Sequence, residues 1–261
     1  MRLAHPARRV ISLIPSATET VVALGAADRV VGRTRYDTEP ALAAVPIIGG
    51  GIDPSIEAIV ALHPDLVVTW DAEPRQRVRE ALDRVGIPTL NIRAQDTTDV
   101  FRSIAQLGAL LARNDAARTL SARLRAELAD VARSVAGRPQ PRVFYVVFND
   151  PPMTAGPDTF LGQLVEVAGG TNIFADARQS WPTVSLEEVV QRRPDVIVLP
   201  YGEMRADLLA RLRELPGWRD LPAVRAGRIV RVPVDLVNRP GPEIGAAARM
   251  LRDGFHPELA Q

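Results

Sequence analysis

One segment of this chain occurs twice. Residues 55–68 read SIEAIVALHPDLVV and residues 185–198 read SLEEVVQRRPDVIV, an offset of 130 in a chain of 261 residues. Ser55/Ser185, Glu57/Glu187, Val60/Val190, Pro64/Pro194, Asp65/Asp195 and Val68/Val198 are identical pairs, and the other positions match mostly in character. Each copy carries a Ser suited to cap a helix, an acid in the first turn, an apolar face, a Pro-Asp stop and then a buried strand. Two such units half a chain apart predict two similar α/β lobes, and a cleft between similar lobes is a natural place to hold a small molecule.

The length allows one large domain or two of about 130 residues, each able to own a core. With 46% hydrophobic and 24% charged residues, the composition is that of an ordinary globular protein. A net charge of +1 gives no electrostatic case for nucleic acid or an anionic membrane. The basic residues are arginine without lysine, a bias that reflects a GC-rich genome more than a phosphate-binding surface. Cysteine is absent, which excludes disulfides, thiolate metal sites and cysteine nucleophiles and leaves the redox compartment open. MRLAHPARRV passes into a strand with no apolar stretch of signal-peptide length, so either a leader has been removed or the protein works in the cytoplasm. No run of 18 apolar residues exists to span a membrane.

Strands and helices alternate through the first third. RVISLI leads to a helix that Ser16 or Thr18 can cap and Gly25 stops; VVG at 30–32 is a second strand, and EPRQRVREALDRVG is an amphipathic helix ending at Gly86. Alternation of this kind implies a mainly parallel sheet covered by helices. Between Thr98 and Val135 the apolar residues recur at three or four, with a break at Asn114 and Asp115, which predicts a long helix from about 115 to 135 acting as a strut. The expected organisation is an N-terminal lobe over 1–112, an interlobe helix over 113–137 and a C-terminal lobe over 138–261. In the second lobe GRIVRVPV should feed the loop DLVNRPGP and a terminal helix from about Pro242 to Asp253.

Ligands of parallel sheets sit beyond the carboxyl ends of the strands. Those ends carry Ser16, Tyr36, Gly50 and Gly51, Trp70, Phe148 to Met153, Trp181, Tyr201, and Asp235 with Arg239. The set is rich in aromatics although aromatics make up 5% of the chain, and Trp70 and Trp181 fall at comparable places in the two halves, which suits a flat, partly apolar ligand. Catalytic signals are poor. His5, His63 and His256 are scattered, read as surface residues, and form no metal or base cluster. No GxxxxGK[ST], HExxH or GxSxG occurs, and Asp71 and Glu73 beside Trp70 read as a solvated loop.

RVISLIPSATETVVALG, RYDTEP, SIEAIVALHPDLVVTW, RVFYVVFNDPPMTAGPDTFLGQLVEVAGGTNIF and SWPTVSLEEVVQRRPDVIVLP together resemble the periplasmic cobalamin-binding proteins of corrinoid ABC importers. More widely they resemble the substrate-binding proteins for cobalamin, haem and iron siderophores. The resemblance runs from Arg9 to about Leu251 and implies two similar α/β lobes joined by one long helix. It implies a binding protein with no catalytic residue, no bound metal and no cofactor of its own, the corrinoid being cargo. Tyr36, Trp70 and Trp181 match aromatics lining the corrinoid site; Met153 stands where the family has an aromatic, and Asp235 and Arg239 match a polar loop at the cleft. Glu57 and Glu187 match two surface acids, one per lobe, that pair with arginines of the permease, a role compatible with helix-dipole stabilisation at the same positions. A Gly-Gly-Gly run occupies the region of a further Trp, and Leu236 replaces another aromatic. The expected partners are a corrinoid-like molecule and an ABC permease, with no nucleic acid, and the expected state is a monomer. A carrier or sensor of haem, siderophore or another metal chelate is the alternative, and an enzyme is further off.

Overall fold

A computed structural model describes residues 3–70, 76–202 and 208–260. Asp71, Glu73 and the start of the helix expected from Glu73 lie outside the described residues. The chain divides into two compact units, one of residues 1–94 with 98–123 and the other of 95–97 with 124–261.

The first unit contains β1 (Val10–Ser12), α1 (Pro15–Ala23), β2 (Val30–Gly32), α2 (Ile56–Ala61), β3 (Leu66–Trp70), α3 (Gln76–Arg84), β4 (Thr89–Ile92) and most of α4 (Thr97–Leu110). Its sheet has the order β2-β1-β3-β4 and is parallel throughout. Alternation divides the strands between two faces. Ile11, Leu13 and Val67 pack with Ile48, Ile59 and Leu82 on one, while Val10, Leu66 and Val68 are buried on the other. The helix α5 (Asn114–Ser134) follows a break at Ala112, whose φ is 49°. The division between the units falls inside α5, after Arg123.

The second unit contains β5 (Arg142–Tyr145), β6 (Phe148–Asn149), β7 (Pro152–Met153), α6 (Phe160–Val167), β8 (Thr171–Asn172), α7 (Leu186–Arg192), β9 (Val196–Tyr201), α8 (Leu208–Glu214), α9 (Pro222–Arg225), β10 (Ile229–Pro233), α10 (Val234–Val237) and α11 (Ile244–Phe255). Read from β8, its parallel sheet runs β8-β5-β9-β10, the same order as in the first unit. Val143, Tyr145, Val196 and Val198 face a core built with α6 and α11, and Phe144, Val146, Ile197 and Leu199 face another containing Val189, Leu212 and Trp218. The duplicated segment is therefore part of a duplicated topology.

The repeat is reproduced down to its caps. Ser55 and Ser185 each accept a hydrogen bond from the backbone N–H three residues on, both at 3.1 Å. Each helix then stops before its proline with a residue in the left-handed region, His63 at φ 46° and Arg193 at φ 47°. A side chain in that conformation costs about 1–2 kcal/mol, and an arginine at the start of the unit's first strand (Arg142) or just before it (Arg9) offsets the cost. Arg9 donates from Nε to the carbonyls of Leu62 and His63, and Arg142 does the same to Arg192 and Arg193. Asp65 accepts from the N–H groups of Arg8 and Arg9, and Asp195 from that of Arg142.

Three expectations are corrected. Neither Ser16 nor Thr18 caps α1: Ile14 is the N-cap without a side-chain bond, because the helix already starts at Pro15, which needs no partner for an N–H it lacks. His256 is buried, with Nε2 3.3 Å from the Gly169 carbonyl, because the turn after α11 folds onto the glycine turn after α6. The first half of DLVNRPGP is the helix α10, which Pro233 introduces with its fixed φ and which Asp235 favours in its first turn.

Candidate functional site

In each sheet the chain crosses from the first strand outward to the second and then returns to the other side for the third. That switch of direction leaves the carboxyl ends of β1 and β3, and of β5 and β9, flanked by loops leading opposite ways, where ligands of parallel sheets are held. Leu13 N–H donates to the Val68 carbonyl at 2.9 Å and Val146 N–H to the Val198 carbonyl at 3.0 Å, carrying both ladders to this edge.

In the first unit the edge holds Ser16, Tyr36, Gly50, Gly51 and Trp70. Ser16 is buried in the opening turn of α1, its carbonyl accepting from Thr20 Oγ1 at 2.7 Å. Tyr36 is 47% exposed. Its loop is fixed from beneath by buried Asp37, whose Oδ2 accepts from Thr34 N at 2.6 Å and Thr34 Oγ1 at 2.7 Å, while Thr34 Oγ1 accepts from Tyr36 N at 3.2 Å. Arg35 lies 5.9 Å from the Tyr36 ring centroid and is bound to Asp53 at 3.0 Å. That hydrogen bond, with a further one to Tyr36, raises the guanidinium's pKa above its ordinary value. Gly51 is required by packing, since a Cβ there would stand 2.5 Å from the Leu13 carbonyl oxygen. Trp70 ends β3, in register with Ile92, and is half-buried.

In the second unit Phe148, Met153 and Trp181 come together on a ribbon. Phe148 and Met153 face each other across the β6–β7 pair, and Met153 bridges to Thr183. Thr154 N–H donates to the Pro182 carbonyl at 3.1 Å and Val184 N–H to the Pro152 carbonyl at 2.8 Å, which holds Trp181 beside the ribbon. Phe148 is 50% and Trp181 36% exposed. Asp235 and Arg239 form an ion pair at 2.7 Å across one turn, and neighbouring Asn238 accepts from Tyr145 Oη at 2.6 Å, tying α10 to the end of β5. Trp70 and Trp181 are not equivalent in the duplication: at the offset of 130, Trp181 falls on Gly51 and Trp70 on Pro200. Glu57 and Glu187 are exposed in the first turns of α2 and α7, and Glu57 Oε2 accepts from Ser55 Oγ at 3.2 Å.

Sequence reasoning missed Arg231, which stacks on Tyr201, and the Asp37–Thr34 clasp under Tyr36. The clasp had a signal in Asp three residues after Thr, a spacing that closes a local turn; the stacking had none, because its partners lie on different strands.

These edges, rich in exposed aromatics and without a catalytic grouping in the sequence, belong to a chain whose residues 10–236 match the periplasmic binding protein family. The chain is a member of that family. A cobalamin-binding protein of Halobacterium salinarum is 34% identical over 258 residues, which cover 95% of this chain and 69% of that protein. The periplasmic vitamin B12 binding protein of Vibrio cholerae matches at a TM-score of 0.79 and 26% identity, over 98% of this chain and 99% of that one. A periplasmic heme-binding protein from Roseiflexus sp. RS-1 matches at 0.83 and 26%, over 96% and 100%. Both structures share the parallel α/β architecture of this periplasmic binding protein. Among the described residues no helix is long and apolar enough to cross a membrane.

Proposed function

We propose that the chain is a substrate-binding protein that captures cobalamin or a related corrinoid and delivers it to an ABC importer, at the periplasm or the cell surface. The observation that carries this reading is the set of exposed aromatic side chains at the carboxyl ends of both sheets, in a chain 34% identical to a protein named for cobalamin binding. Large aromatics left in water at such positions mark a binding surface suited to stacking on a flat macrocycle. Micromolar binding corresponds to about 8 kcal/mol, which a stacked macrocycle and a few hydrogen bonds supply. Tyr36, Trp70, Phe148, Met153 and Trp181 are the proposed apolar contacts, Ser16, Gly50, Gly51, Asp235 and Arg239 the surrounding wall, and Glu57 and Glu187 the groups that meet the permease. The corrinoid is cargo, and no resident cofactor or catalytic step belongs to this reading.

The likeness to a heme-binding structure favours a second reading, a carrier of haem or another metal chelate. Calorimetry and thermal melting with cobalamin, cobinamide and haem separate the two. Heat and a raised melting temperature with a corrinoid, and none with haem, are expected; the reverse pattern replaces the first reading with the second.

A further inference from the structure

Tyr201 and Arg231 form a pair that none of the preceding roles uses. Tyr201 ends β9 and is 38% exposed, and Arg231 is exposed on β10. In the parallel register Arg231 pairs with Leu199 and Pro233 with Tyr201, so the two side chains share one face of the sheet as diagonal neighbours. The Arg231 guanidinium carbon lies 4.8 Å from the Tyr201 ring centroid.

The charge on this pair is unlike that of its neighbours at the strand ends. Arg35 is neutralised by Asp53 and Arg239 by Asp235, whereas Arg231 has no carboxylate partner among the described residues. A guanidinium stacked on an aromatic face keeps its N–H groups in its own plane, directed away from the ring, in the fork that matches two oxygens of a phosphate or carboxylate. Stacking also fixes the side chain before a ligand arrives, which reduces the entropy lost on binding. The pair stands where β10 passes directly into α10, the helix of Asp235, and a Cβ at Gly202 would meet Val234 Cγ1 at 2.7 Å, so the ends of β9 and β10 are closely packed.

We infer that Tyr201 and Arg231 form an anion subsite that reads a phosphate on the edge of the macrocycle. The inference rests on the corrinoid reading and deepens it: the preferred cargo is a complete corrinoid with its nucleotide-loop phosphodiester rather than cobinamide, which lacks that group. Arg231 supplies the charged donors, and Tyr201 holds the guanidinium in place.

The test is a ligand-by-variant cycle in the full chain, with binding measured calorimetrically for cobalamin and cobinamide in the wild type, Arg231→Gln, Arg231→Lys and Tyr201→Leu, and folding checked by thermal melting. Arg231→Gln should weaken cobalamin binding about 10- to 100-fold, the range for a lost hydrogen bond to a charged group, and leave cobinamide binding unchanged. Arg231→Lys should restore part of the loss, and Tyr201→Leu should reproduce a smaller one. Equal loss for both ligands, or no loss for either in a folded variant, overturns the subsite alone. Failure of the wild type to bind either compound overturns the corrinoid reading and the subsite with it.

Discussion

Arg142 Nη2 donates to the carbonyl oxygen of Arg192 at 2.6 Å, and in the other unit Arg9 Nη2 donates to the carbonyl of Leu62 at 2.7 Å. In both places the residue that opens or directly precedes the first strand is bound to the end of a helix some fifty residues later, at the point where a non-glycine residue turns into the left-handed region. The arginine satisfies helix-end carbonyls that would otherwise lack partners.

Arg142→Ala should therefore destabilise the fold by about 1–2 kcal/mol, the low end for hydrogen bonds from a charged donor because the side chain is exposed. Urea melts should show a lower midpoint with an unchanged slope, and Arg9→Ala should behave alike. An unmoved midpoint in both variants would mean that water satisfies these carbonyls equally well.

Two tryptophans should separate binding from stability. Trp181 is 36% exposed, whereas Trp218 is 4% exposed with its ring 6.0 Å from that of Phe144. Trp181→Ala should weaken corrinoid binding by about 1–3 kcal/mol with little loss of stability. Trp218→Ala should cost about 3–5 kcal/mol of stability. Denaturant melts run beside titrations decide this, and a large stability loss in Trp181→Ala would place its ring in the packing and remove it from the site.

Charge reversal tests delivery. Glu57→Arg with Glu187→Arg should leave ligand affinity unchanged and abolish stimulation of a cognate permease ATPase, because two acid–arginine attractions become repulsions. Loss of the favourable helix-dipole interaction should cost only about 0.3–1 kcal/mol per site. Uptake equal to that of the wild type would make a carrier or sensor the better reading.

Asp176 gives a pH dependence of known sign. Its hydrogen bond to Arg192 Nη1, 2.7 Å long, holds the carboxyl below the usual carboxylate range. A carboxylate with a lowered folded pKa contributes stability above its unfolded value and loses it as pH falls through the folded value. Asp176→Asn should therefore flatten the acid limb of the stability curve below about pH 4, where unperturbed Asp titrates, and leave its shape near neutrality. Urea midpoints measured down the acid range check this; parallel curves for variant and wild type would show that the pair contributes nothing.

The sequence by itself determined the repeated units, because their signals are local. A Ser at a helix start, an acid in the first turn and a Pro-Asp stop act within a few residues, and alternating or helical periodicity is read directly from spacing. Thus α2 and α7, β3 and β9, and the long helix α5 were legible before any coordinates, as was the duplication they imply. Family resemblance added site residues that spacing alone would not select. What only the tertiary structure decided depends on partners far apart in the chain. The common strand order of the two sheets, the burial of His256 against Gly169 and the reach of Arg142 to Arg192 all follow from register and loop length. So does the stacking of Arg231 on Tyr201. Each of these contacts is fixed by which strand lies beside which, and no short-range pattern in the sequence carries that information.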